Sequence, residues 1–133
     1  MSEAALGLQS LQLSRPLQPK TLQSLRTSVW EIEIPGGDFE RGLVRWLEEV
    51  LFCGHEEGKW LVESTVDIVG EKISAEVSWA DSDSVDLGIE VKAITMHELV
   101  LREISENEMV EGIDPDIPSF QGPGWMAQVI LDI

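Results

Sequence analysis

Two stretches of the chain place apolar residues at helical spacing. The first predicts an amphipathic helix over residues 2–12, in which the recurring apolar positions are Ala4, Ala5, Leu8 and Leu11. The second predicts a helix over 39–53, because Asp38 can cap its first turn and Gly54 can end its last one. Two prolines between Ser14 and Pro19 predict a connector after the first helix.

Elsewhere, apolar and polar residues alternate with the period of a β-strand. The alternation predicts strands at 29–34, 59–68, 72–80 and 87–95 and a last strand over 125–132. Near His97 it predicts a turn or a bend into a strand through Leu99 and Leu101. Helices first and a β-meander afterwards indicate an α+β fold, with two helices packed on a mainly antiparallel sheet of about six strands. The length of 133 residues favours a single domain, 1–133.

Charge narrows the classes of partner. The chain carries a formal charge of −16, and residues 54–133 hold 18 acidic but only 4 basic side chains. Such a surface repels phosphate backbones, so direct nucleic-acid binding is disfavoured, whereas a basic protein or a multivalent cation suits it. The densest acidic run, together with the glycines and prolines around it, predicts an enlarged exposed loop at 103–123. The bland alternative is that the charge only maintains solubility.

The sequence excludes several other classes of protein. No stretch approaches the ~20 apolar residues that a membrane-spanning helix needs, so an integral membrane protein is not expected. No secretory signal is recognisable, and Cys53, the single cysteine, excludes an internal disulfide. These features together predict a cytoplasmic protein.

Familiar catalytic and metal-binding patterns are incomplete. Residues 54–59 resemble a phosphate loop one residue short, and a tight turn after a helix is the better interpretation. The acidic run 81–86 fails the calcium-loop pattern and reads as a solvated turn. The segment around His55 lacks the second histidine of a zinc-protease motif, and Cys53 is interpreted as a packing residue. No catalytic residues are predicted.

Two places keep a functional signal. Lys92 is one of the few bases in an acidic half and lies on a strand predicted to be half-buried, although a surface ion pair would explain it as well. The second place is the end of the last strand, which is hydrophobic and closes with Asp132 and Ile133. The Asp132 side chain and the carboxylate of Ile133 could together hold a hard cation such as Ca²⁺ or Mg²⁺. The alternative there is a frayed terminus.

These segments resemble the archease family. Residues 90–95 followed by His97, and the closing residues 129–133, are similar to the two archease signatures, while 43–51 and 2–11 are similar to the second and first helices of that family. The resemblance spans the whole chain. The pattern of the archease family also includes a strand that precedes the first helix and carries a His-Thr-Ala-Asp-type motif. This sequence opens inside the helix, so that strand and its metal-binding aspartate are expected to be missing.

The resemblance implies a function and a site. Archeases are non-enzymatic proteins that activate the RtcB-type tRNA-splicing RNA ligase by promoting its guanylylation and repeated turnover. The resemblance implies that Asp132 and Ile133 are ligands of Ca²⁺ or Mg²⁺, and that the ion binds weakly because the upstream aspartate is missing. It also implies that Lys92 contacts phosphate or the partner. A missing strand would leave a sheet edge open to self-association.

Two other classes of function stay open. An acidic chaperone or oligomerisation modulator of RNA-modifying enzymes would use the negative surface without any metal. A metal-dependent hydrolase would need a general base, for which His55 and His97 are the candidates.

Overall fold

A computed structural model of the protein describes residues 2–112, 115 and 119–133. It confirms the α+β class, with three helices and about seven strands. In chain order the elements are α1 (Ser2–Gln12), α2 (Pro19–Gln23), β1 (Arg26–Glu33), α3 (Phe39–His55), β2 (Lys59–Val69), β3 (Lys72–Asp81), β4 (Ala93–Ile104), β5 (Met109–Val110), β6 (Phe120–Gln121) and β7 (Gly124–Asp132). Short 3₁₀ turns lie at Pro35–Gly37 and Ser82–Ser84.

Both predicted helices form, and a short third one was not predicted. The Asp38 side chain caps α3, accepting the N–H groups of Glu40 at 2.9 Å and of Arg41 at 3.4 Å. The helix then runs to His55, two residues further than predicted. The extra helix, α2, begins at Pro19, whose ring fixes a backbone angle suited to a first helical turn, so the predicted connector ends in a helix.

The first sheet contains three antiparallel strands in the order β1-β3-β2. Gly70, at a φ of 62°, makes the tight turn between β2 and β3 that the sequence predicts. One face of the sheet is apolar and packs on α1 and α3, and the Trp30 and Trp46 rings meet there with centroids 6.4 Å apart. The buried residues of that face include Trp30, Ile32, Ile73, Ala75 and Val77.

The second sheet is a ribbon of β4 and β7. Leu99, Leu101, Val129 and Leu131 turn one face of this ribbon toward the common core. The register jumps from the Thr95–Ile130 pair to the Val100–Gln128 pair, and Glu98 takes a positive φ of 54° in the bulge between them. The predicted bend near His97 is therefore confirmed, as a bulge within one long strand.

The strand predicted over 87–95 is wrong in its first part. Only Ala93 onward belongs to a strand, and 87–92 follow an irregular path. Leu87 forms an isolated bridge with Leu13, and the N–H of Gly88 donates to the Gln12 carbonyl at 3.0 Å. The N–H groups of Gly88 and Val91 are thus satisfied by Gln12 at the end of α1, whereas the N–H of Lys92 bonds to β7.

The acidic segment predicted as a loop over 103–123 contains strand residues in its described part. Its first two residues belong to β4, which ends at Ile104, and β5 and β6 pair within it as a small hairpin. The acids Asp114 and Asp116, which belong to the predicted run, lie outside the described residues.

Candidate functional site

The two segments singled out by the sequence lie side by side. The N–H of Lys92 donates to the carbonyl of Asp132 at 2.7 Å, and the next residue, Ala93, is the register partner of Asp132. The hydroxyl of Thr95 adds a bond to the Ile130 carbonyl at 3.0 Å. The side chains of Lys92 and Asp132 are both exposed, so the ribbon end presents an ammonium and a carboxylate at neighbouring backbone positions.

A buried amide holds this segment from behind. Gln12 is fully buried, and its Oε1 accepts the N–H of Val91 at 3.2 Å. The same oxygen lies 3.1 Å from Nε2 of His55, and because an amide oxygen can only accept, that ring nitrogen carries the proton. The backbone immediately before Lys92 is therefore fixed to α1, so α1 and β7 together position the lysine.

Gln12 was missed by the sequence analysis, although a signal was present. Gln9 and Gln12 follow Ala5 and Leu8 on the same helical face, so both fall among buried positions of α1. A glutamine on a buried face calls for a polar partner, which Gln12 finds in Val91.

His97 does not join this pair in register. It lies in the bulge of β4, beyond the Thr95–Ile130 pair, and its side chain is exposed. Its closest charged neighbour is Glu98, with 4.0 Å between Nε2 and Oε1. His55, the other candidate base, is used in the bond to Gln12.

The carboxylates at the end of β7 suit a hard cation in kind, because oxygen is the donor that Ca²⁺ and Mg²⁺ prefer. Among the residues described, no group of three or more histidine, cysteine or acidic side chains is arranged to hold a metal ion. Asp132 and Ile133 could hold such an ion only with other oxygen donors, such as water, completing its coordination. The donor chemistry fits, and the protein donor set is small.

Cys53 is not an activated nucleophile. Its side chain is buried near the end of α3, and burial together with the charge of Glu49 raises the pKa of the thiol to about 12. The thiol is consequently neutral at physiological pH. This confirms the interpretation of Cys53 as a packing residue.

The phosphate-loop and calcium-loop resemblances are both structural turns. Residues 54–58 end α3, and Gly58 adopts a φ of 69° before β2 begins. The acidic turn at Ser82–Ser84 is tied to that helix end, since the hydroxyl of Ser82 donates to the Gly54 carbonyl at 2.6 Å. The structure thus confirms the turn interpretation of both segments.

Comparison with known proteins decides the family. The sequence matches the Archease protein family over residues 1–133, the whole chain. The chain belongs to the archease family. Archeases are non-catalytic activator proteins associated with RNA ligases, and family membership supports a role in tRNA processing as a cofactor of such a ligase. No curated protein matches this archease. Within its described part, no helix is both long enough and apolar enough to span a bilayer.

Proposed function

We propose that this archease activates an RtcB-type tRNA-splicing RNA ligase by promoting its guanylylation and allowing repeated turnover. The observation that carries the proposal is the bond of 2.7 Å between the Lys92 N–H and the Asp132 carbonyl. It brings together two short segments that are far apart in the sequence and that both match the family pattern. The acidic surface supports the proposal, because a ligase that binds RNA presents basic surfaces.

Each residue of the pair would have its own role. Lys92, with its ammonium group in solvent, would contact a phosphate or an acidic group at the nucleotide site of the ligase. Asp132 and the carboxylate of Ile133 would hold Ca²⁺ or Mg²⁺, which when bound supplies positive charge against nucleotide phosphates. The tether from Gln12 to Val91 would limit the motion of Lys92 during docking.

The test of this proposal is ligation under multiple-turnover conditions. The ligase from the same organism is assayed with and without this protein, and the ligase–guanylate adduct is followed separately. We expect product well beyond one equivalent per ligase, together with faster adduct formation. A folded protein that leaves both rates unchanged would contradict the proposal.

An acidic chaperone for RNA-modifying enzymes is the second candidate, favoured by the formal charge of −16. It predicts that the protein raises the soluble or correctly assembled fraction of the ligase without changing the rate per active ligase. Titration of the active ligase fraction by its guanylylation endpoint separates the two. In the chaperone case Asp132→Asn is silent, whereas the activator proposal expects it to reduce stimulation.

A further inference from the structure

One tryptophan of this chain is exposed while the others are buried. Trp125 on β7 is 60% exposed. The other four, all 8% exposed or less, are Trp30, Trp46, Trp60 and Trp79. Trp125 lies on the same face of β7 as Val129 and Leu131, which pack against the core nearer the end of the strand, and the exposed Ala127 lies between Trp125 and Val129 on that face. That face therefore continues past the core, and its outer end is uncovered.

An acidic residue lies directly opposite Trp125 on the neighbouring strand. Glu103 on β4 is the register partner of Trp125, and its side chain is exposed. Directly opposed residues of an antiparallel pair project from the same face with Cβ atoms about 5 Å apart. We call these two residues the Trp125–Glu103 pair. An electron-rich ring beside a carboxylate is a binding element for a cationic side chain.

The same combination occurs elsewhere in the chain with its cation in place. The Arg26 guanidinium lies 5.2 Å from the centroid of the Trp79 ring, and Arg26 pairs with Asp81 at 3.7 Å. Lys59 lies 5.4 Å from the same centroid. In the described part of the chain, cations stack on Trp79 but none is found over Trp125. The basic residue next to Glu103, Arg102, is bonded to Glu108 at 2.7 Å.

The net charge of this chain indicates which class of partner could bind at the Trp125–Glu103 pair. A second copy of this chain would bring another formal charge of −16 to a surface already rich in acids, so self-association through this face is opposed by repulsion. A basic protein would instead be attracted electrostatically to this acidic surface. Arginine is the better matched of the two cations, because its planar guanidinium can stack on an indole while donating to a carboxylate.

We propose that the Trp125–Glu103 pair is a docking site for an arginine side chain on a basic protein partner. The exposed ring receives the guanidinium plane, Glu103 accepts its N–H groups, and the apolar side chains of Leu101 and Ala127 lie along the same face for the aliphatic stem. The site is on the ribbon, away from the Lys92–Asp132 contact at its other end. Only the naming of that partner as the ligase rests on the proposed function.

The first experiment needs no partner protein. A tetra-arginine peptide amide is titrated at low ionic strength into protein labelled with ¹⁵N, and the five tryptophan indole N–H signals are followed, that of Trp125 being assigned with Trp125→Phe. We expect the largest shift at Trp125, and Glu103→Gln to weaken the apparent affinity read there by about threefold. Glu31→Gln, which removes the same charge on the other sheet, is the matched control and should leave that affinity unchanged. A static Trp125 signal, or equal effects of the two variants, would overturn the proposal.

The second experiment measures equilibrium binding to the ligase. Trp125→Ala and Glu103→Gln should each weaken binding by about threefold or more, while Phe52→Ala, a truncation of an exposed ring on α3, should not. Normal binding by both ribbon variants would overturn the docking site and leave the activator proposal intact. A wild-type protein that binds no ligase would contradict the proposed function, and the peptide titration alone would then decide the docking site. A dimer that Trp125→Ala dissociates would overturn the proposal in favour of a second copy.

Discussion

The side-chain oxygen of Gln12 accepts the N–H of Val91 at 3.2 Å across a sequence separation of 79 residues. Both residues are almost completely buried, so water cannot replace either partner. The bond therefore fixes the irregular segment that leads to Lys92, and α1 contributes to the candidate site although it supplies none of its exposed groups.

Replacing Gln12 by leucine should remove this tether. The buried Val91 N–H would lose its acceptor, and we expect a loss of about 1–3 kcal/mol in the free energy of unfolding. Denaturant unfolding measures the loss, and hydrogen exchange at Val91 and Lys92 shows whether it is local.

Gln9→Leu is the matched control on the same helix face. Within the described residues, neither the Oε1 nor the Nε2 of Gln9 has a hydrogen-bond partner, and both are buried. Its replacement should leave stability unchanged or raise it by about 1 kcal/mol. Equal losses for the two variants would show that the Gln12 bond has no special role.

The cap of α3 should matter on its own. Asp38→Ala removes the acceptor of two backbone N–H groups at the start of the longest helix, and we expect a cost of about 1 kcal/mol. Asp38→Ser keeps an acceptor at the same position and should recover most of that cost in thermal unfolding. If serine and alanine are equally destabilising, capping is not the source of the effect.

Cys53 should react slowly in the native protein. Since burial raises its thiol pKa to about 12, alkylation by iodoacetamide at pH 8 should be much slower than in guanidinium chloride, where the ordinary pKa returns. The chain has one cysteine, so mass spectrometry reports this site alone. A native rate equal to the denatured rate would contradict the burial.

The same shift has a consequence for stability at high pH. Above the ordinary pKa of 9.0 the unfolded chain loses the proton while the folded chain keeps it, so stability falls as pH rises from about 9 toward 12. Cys53→Ala should fall less over that window when compared by denaturant unfolding. Identical slopes in the two proteins would argue against a raised pKa.

Arg102 should hold the pKa of Glu108 below its ordinary value. The guanidinium donates to Glu108 Oε2 at 2.7 Å, and the Ser105 N–H adds a second bond to the other oxygen. Because the folded-state pKa is lowered, this contribution to stability is present above the ordinary pKa of 4.5 and is lost as pH falls through the folded value. Titration of Glu108 by NMR should show its pKa rising in Arg102→Gln. Lys72→Gln, which removes a cation paired with Glu33, should leave it unmoved.

The elements that the sequence predicts correctly are those in which the periodic apolar positions and the end signals all lie within the element itself. The helices at 2–12 and 39–53 and the hairpin of 59–68 with 72–80 each carry their own apolar face and their own end signals, so local pattern sufficed. The two segments of the candidate site were singled out differently: Lys92 by its charge in an acidic half of the chain, and Asp132 with Ile133 by the carboxylates that end a hydrophobic strand. Their contact through Lys92 and Asp132 depends on the register of β4 with β7, which pattern alone does not fix.

The failures share a physical cause. Leu87, Ile89 and Val91 alternate as in a strand, yet only Val91 is buried, and the others are 42% and 39% exposed. What decides the conformation there is a set of long-range backbone bonds to the end of α1, and these leave no trace in local periodicity. The role of Gln12 was hidden for the same reason.

The path of the chain through the candidate site also orders events during synthesis. Gln12 leaves the ribosome early, Lys92 much later, and Asp132 with the last strand, yet all three must meet for the site to exist. A nascent chain can therefore complete α3 and the three-stranded sheet while its site is still unbuilt. The site that would act on a partner is therefore complete only once the last strand has been synthesised and has paired.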